Sequence, residues 1–102
     1  MEHSRPIYPG EFILNVYMEP FKVKASELAE SLDVDQATVS RLLVGDASVF
    51  PDMAIRLSVV LGGSSYFWLS MQSQYSLWLA EHQVDKSRLK QMVFSSHLVG
   101  IS

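Results

Sequence analysis

The chain is 102 residues long, has no cysteine, carries a formal net charge of −3, and is 48% hydrophobic and 19% charged; this suits one domain around one core and excludes a disordered protein, a disulfide scaffold and thiolate chemistry. No stretch approaches the roughly 20 apolar residues that span a bilayer, and the opening MEHSRPIYPG has no apolar run behind a basic start, so a cytoplasmic protein with neither signal peptide nor membrane partner is expected. The negative balance speaks against nucleic acid only as an average, because residues 36–45 hold one arginine, Arg41, and no acid, and local distribution matters more than net charge.

Proline and glycine divide the chain into helical segments. A first helix is predicted from about Pro9 to Met18, with Phe12, Ile13, Val16 and Tyr17 as its apolar stripe. Pro9 suits a first turn, and Pro20 stops the helix. A second helix, from about Ala25 to Ser31, turns Leu28, Ala29 and Leu32 inward. Ser26 and Glu27 occupy its first turn, and Glu27, Glu30, Asp33 and Asp35 can line its far face.

Asp33-Val34-Asp35 makes a tight connection, and Asp35 is a good N-cap for a third helix at about Gln36–Leu43. Gly45 supplies its left-handed end. Val39, Leu42 and Leu43 share the inward side, leaving Gln36, Ala37, Thr38, Ser40 and Arg41 outside. A fourth helix runs from about Pro51 to Leu61, with Met53, Ile55, Leu57, Val60 and Leu61 apolar, and ends at Gly62-Gly63. A fifth starts after Ser64-Ser65 and reaches about Gln83. A last helix is expected from about Asp85, carrying Leu89, Met92 and Val93, with a weakly patterned apolar tail after Phe94. No strand alternation occurs. The expected fold is all-α, five helices with a C-terminal helical extension, as one domain over residues 1–102.

Two short helices joined by a very short turn, the second covered outside by small polar residues, form a helix-turn-helix pattern at about 25–45. A helix entering the major groove needs small polar side chains where it approaches closest. Gln36 suits adenine N6 and N7, Thr38 a thymine methyl or a base acceptor, and Arg41 guanine O6 and N7 or a phosphate. Ser40 permits close approach. The alternative at this point is a merely solvated helix face.

Several stretches resemble the HigA-type antitoxins of the Xre/Cro-like helix-turn-helix superfamily: RPIYPGEFIL (5–14), YMEPF (17–21), ELAESLDV (27–34), TVSRLLVG (38–45), DMAIRLSVVLG (52–62) and FWLSMQSQYSLWLA (67–80). The resemblance spans about residues 5–85. It implies a lambda-repressor-like domain and a dimeric DNA-binding antitoxin that represses its own operon at a palindromic operator. It also implies a partner, a small HigB-type toxin that cleaves mRNA. By this resemblance Gln36, Ala37, Thr38, Ser40 and Arg41 fall on the recognition helix, with Lys24 and Ser26 beside them at the start of helix two. The chain departs from the superfamily pattern at three positions. Ala25 stands where a phosphate-touching Gln is common, Asp46 where a Lys or Arg often comes after the glycine, and Phe50 where a Ser or Thr usually caps helix four. The first two departures remove phosphate partners.

The fifth helix reads YFWLSMQSQYSLWLAEH over residues 66–82. Trp68, Met71, Tyr75, Trp78, Leu79 and His82 fall on one side, widened by Tyr66, Phe67, Leu69 and Leu77. Such a stripe is first of all core. Its size also suggests an interface, since tryptophan and tyrosine are enriched there. A homodimer through Phe67, Trp68, Met71, Tyr75, Trp78 and Leu79, with the C-terminal segment at about 64–102, is expected.

His3, His82 and His97 are scattered and give no ligand-spaced pair, so no metal is expected; His82 should pack near Trp78. No GxSxG elbow or Gly-rich phosphate loop occurs, so neither an enzyme nor a cofactor is expected. Lys86, Arg88 and Lys90 read as a solvated face. The alternatives are a stand-alone repressor without a toxin and a protein-binding module with little DNA affinity.

Overall fold

The computed structural model describes residues 5–95, so the tail beyond Ser95, His3 and His97 lie outside the described residues. Among those residues there are five helices and no strand. The first, α1 (Pro9–Ile13), starts on proline and runs on as a π-helical turn, Leu14–Met18. Within that turn the Glu19 N–H reaches the Leu14 carbonyl, five residues back, at 2.9 Å. The wider turn rotates the residues after Ile13 about the helix axis. Met18 therefore points into the core, and Val16, read as part of the apolar stripe, stands 41% exposed.

Then come α2 (Ala25–Leu32), α3 (Gln36–Leu43), α4 (Pro51–Val60) and α5 (Ser65–Glu81). The core is built from Ile13 of α1, Leu28, Ala29 and Leu32 of α2, Val39 and Leu42 of α3, Ala54 and Leu57 of α4, and Trp68 of α5. These are the inward positions that the 3.6-residue period selects. Ile55, read as apolar-face, is turned out to solvent on α4.

Trp68 is fully buried, and its indole N–H donates to the Gly62 carbonyl at 2.9 Å. That bond satisfies the one polar atom which burial would otherwise leave unpaired. Phe12 and Phe67 meet its ring edge-on, with centroids 5.8 and 5.2 Å away. Gln72 accepts from the Val49 N–H at 2.8 Å, which ties the α3–α4 loop to α5.

Beyond Met71 no residue of α5 is buried. The helix expected from Asp85 is only a 3-10 turn, Lys86–Arg88, with irregular backbone after it to residue 95. Leu89, Met92 and Val93 do have helical spacing, but all three stay largely exposed in the protomer. A short helix without packing is marginal in water.

Candidate nucleic-acid interface

The α2–turn–α3 unit is held from several sides. At its start, the Glu27 carboxylate accepts from the Lys24 N–H at 2.8 Å, which satisfies a donor at the N-terminal end of α2. At the turn, Asp33 adopts the left-handed conformation, with φ of 59°. One guanidinium nitrogen of Arg56, on α4, donates to the carbonyls of Leu32 at 2.7 Å and Asp33 at 3.1 Å. These are end-of-helix carbonyls that would otherwise lack a partner. No role for Arg56 is legible in the sequence; the structure makes it a clamp.

Asp35 caps α3. Its Oδ1 accepts from both the hydroxyl of Thr38, at 2.6 Å, and the Thr38 N–H, at 2.8 Å. The hydroxyl first, then the N–H, hold the Asp35 carboxyl below the usual carboxylate range, with help from the charge of Arg41. Thr38 is thereby half-buried with its hydroxyl engaged, so its methyl rather than its hydroxyl is the free group.

At the other end of α3, α1 presses down directly. A Cβ on Gly10 would lie 1.9 Å from the Leu42 carbonyl oxygen, so only glycine permits this approach. The Tyr8 ring covers Gly45, which turns the chain at φ of 86°. Arg5 braces this N-terminal segment with two bonds to Glu11, at 2.9 and 3.2 Å, and lies over the Tyr8 ring.

To solvent, α3 then presents Gln36, Ala37, Ser40 and Arg41, all exposed and free of acid. Val44, the first residue past the end of α3, is 64% exposed. Lys24 and Ser26 are exposed at the start of α2. Among the described residues, neither Lys24 nor Arg41 forms an ion pair within 4 Å.

Of the six residues expected as a dimer surface, Phe67 and Leu79 are 41 and 37% exposed, and the other four turn toward their own protomer. Trp68 and Met71 are core and present no surface. Phe67 packs on Phe12 and Trp68. Tyr75 stands between Tyr8 and Trp78, with centroids at 5.3 and 6.3 Å. Trp78 in turn meets His82 at 4.7 Å, and His82 Nδ1 donates to the Trp78 carbonyl at 2.7 Å. The opposite side of α5 is the uncovered one. A shallow groove there is lined by Phe50, Leu69, Ser73, Ser76, Leu77 and Ala80, and it continues past Leu77 and Ala80 to Val84 and Leu89.

Among the described residues, no group of three metal-ligating side chains stands together, and no helix is long and apolar enough to cross a membrane.

No family model matches the chain. It is 42% identical over 85 residues to the helix-turn-helix transcriptional regulator YddM of Escherichia coli (strain K12), covering 83% of this chain and 89% of that one. It is 36% identical over 74 residues to antitoxin HigA-1 of Vibrio cholerae, covering 72% and 70%. Among solved structures, antitoxin GraA superposes with a TM-score of 0.82 at 32% identity, over 88% of this chain and all of that one. GraA in complex with its operator superposes with a TM-score of 0.77 at 31% identity, over 92% and 98%.

Proposed function

As the chain belongs to the HigA-type antitoxins among the helix-turn-helix regulators, we propose that it binds operator DNA in the major groove through α3, represses its own operon and neutralises a small HigB-type toxin. The observation that carries the DNA reading is the acid-free outer face of α3, held by Asp35 and Arg56 at one end and by Gly10 and Tyr8 at the other. In this arrangement Gln36 and Arg41 read base edges, Ala37 and Ser40 allow close approach, and Lys24 and Ser26 meet phosphate. GraA, a structural relative, is solved with its operator. The toxin rests on the antitoxin relatives.

The protein acts as a two-fold dimer on a palindromic site, with recognition helices roughly 34 Å apart. The support is α5. It is apolar on both sides, and a helix of that kind is normally covered all round. Its inner side meets the protomer, and its outer side, Leu69, Leu77 and Ala80, meets a second copy. A second reading, a repressor without a toxin, is favoured by the likeness to YddM, which is named only for transcriptional regulation.

The test is fluorescence anisotropy with DNA from upstream of the gene, beside scrambled DNA, with light scattering at micromolar concentration. Salt-sensitive, sequence-selective binding by a dimer is expected. Binding no tighter than to scrambled DNA refutes the DNA reading, and a monomer refutes the dimer. Rescue of growth from a toxin encoded beside the gene separates antitoxin from lone repressor.

A further inference from the structure

We infer that Lys22 grips the DNA backbone. Its left-handed position, between the π turn and α2, sets a phosphate-binding ammonium beside the start of α2, in place of the contacts that Ala25 and Asp46 do without. The inference rests on the DNA reading above and adds a residue to it.

The first observation is a comparison within the chain, where three helices end in the same closure. After the π turn, the Val23 N–H reaches the Met18 carbonyl at 2.9 Å, and the Lys22 N–H reaches the Glu19 carbonyl at 3.4 Å. After α2, the N–H of Val34 bonds to Ala29 at 3.0 Å and that of Asp33 to Glu30 at 3.1 Å. After α3, the N–H of Asp46 bonds to Arg41 at 2.9 Å and that of Gly45 to Leu42 at 3.2 Å. Each closure needs one residue in the left-handed region, a position that glycine favours. The residue is Gly45 at φ of 86°, Asp33 at 59° and Lys22 at 57°. Glycine has no Cβ to clash there, and the short side chain of aspartate can bond locally. Lysine has neither advantage. Strain kept at a residue with no local reason for it points to work by its side chain. Lys22 is exposed, and among the described residues it forms no ion pair within 4 Å.

The second observation is where the charge falls. Residues 20–26, PFKVKAS, hold two lysines and no acid, whereas residues 27–35, ELAESLDVD, hold four acids and no base. The chain is basic on the approach to α2 and acidic beyond it. Residues 36–45 are again free of acid. The two acid-free stretches thus lead into α2 and form α3, the parts that the DNA reading sets against the duplex.

The third observation is fixed placement. Val23 packs against the core, so the backbone of Lys22 is pinned on both sides. The Cα atoms of Lys22 and Lys24 lie at most about 7 Å apart, close enough for both ammoniums to meet one DNA strand.

Lys22→Gly is the test, because stability and binding should move in opposite directions. With the left-handed strain relieved, Tm by circular dichroism should equal or exceed that of wild type. Affinity for a duplex from upstream of the gene, by anisotropy, should fall about tenfold or more near 0.1 M salt, and the slope of log K against log salt should become shallower by about 0.9 for each bound protomer. A scrambled duplex should lose affinity by the same factor, because a phosphate contact carries no sequence. Lys22→Asn tolerates the left-handed region without the flexibility of glycine and should lose as much; Lys22→Arg should keep the wild-type slope. An unchanged slope in Lys22→Gly, with wild type binding selectively, overturns the inference and leaves the DNA reading standing. A lower Tm removes the strain on which it stands. Loss of toxin neutralisation with DNA binding unchanged also overturns it, and assigns Lys22, with Phe21 beside it at 72% exposure, to a protein partner. A wild type that binds neither duplex refutes the DNA reading and this inference with it.

Discussion

Gly10→Ala isolates the bracing of α3 from the chemistry of its outer face. The added Cβ would sit 1.9 Å from the Leu42 oxygen, 2.7 Å from its carbonyl carbon and 2.8 Å from Leu43 Cα. Ordinary contact begins near 3.4 Å, so α1 must retreat from α3 by about 1.5 Å. All three obstructing atoms are backbone, and none can swing aside. Alanine would favour the helix by at most about 1 kcal/mol, while overpacking at a buried site costs about 1–3 kcal/mol. The clash wins, for a net loss of about 1–2 kcal/mol, or roughly 4–16 °C in Tm for a domain of this size. Thermal denaturation by circular dichroism reads the first effect. Operator affinity, measured well below both transitions, reads the second, and it should fall because the C-terminal half of α3 is displaced. A Tm equal to or above wild type would refute the close approach. Lost stability with wild-type affinity would show that the α2–α3 turn alone sets the pose of α3.

Arg41→Ala should cost about 1–3 kcal/mol on operator DNA and less on scrambled DNA; equal loss on both, by anisotropy, makes Arg41 a phosphate contact instead. Arg56→Met leaves the Leu32 and Asp33 carbonyls without their charged donor and should destabilise the fold by about 1.5–3 kcal/mol in urea; an unmoved midpoint removes the clamp. Asp35 has a folded pKa below its unfolded value. Its contribution is therefore complete above about pH 4 and is lost as the pH falls through the folded value. Wild type should accordingly unfold later than Asp35→Ala at pH 6, and the gap should close on acidification; a gap that persists at pH 2 contradicts the cap.

The helices were legible because their signals are local. Leu28, Ala29 and Leu32, or Val39 and Leu42, declare an inward face by spacing alone, and Pro9, Asp35 and Gly45 mark ends whose chemistry needs no partner. The missed features depend on distant atoms. The π turn that turns Val16 out leaves no mark on residue spacing. Arg56 becomes a clamp because α4 crosses the end of α2, a fact of packing. The stripe on α5 read first of all as core is core at Trp68 and Met71, but periodicity alone cannot say which part of a helix that is apolar on both sides stays exposed. The Gly62 carbonyl that receives the Trp68 N–H is a fact of packing that no stripe reveals. The helix expected after Asp85 had the right spacing but lacked the burial that spacing presupposes.

The salt dependence of operator binding tests how an acidic chain meets a polyanion. Three of the eight cations of the described residues are already committed: Arg5 to Glu11, Arg56 to carbonyls, and Lys86 to Glu81. Two acids of the α2–α3 unit are turned to helix starts, Asp35 onto Thr38 and Glu27 onto the Lys24 N–H, where backbone N–H groups offset their charge. That leaves Lys22, Lys24 and Arg41, all exposed, around the α2–α3 unit, and Arg88 and Lys90 after α5. If Arg88 and Lys90 lie away from the duplex, three cations per protomer face DNA, and the slope of log K against log salt for the dimer is no steeper than about −5, at roughly 0.9 per phosphate neutralised. If Arg88 and Lys90 instead grip phosphate, the ceiling rises to about −9 on the same scale. A titration from low to physiological salt separates the two. A slope well beyond −5 would place Arg88 and Lys90 on DNA and refute a reading surface confined to the α2–α3 unit. A shallow slope with retained sequence selectivity would mean that the α3 side chains, rather than a general positive field, supply the discrimination.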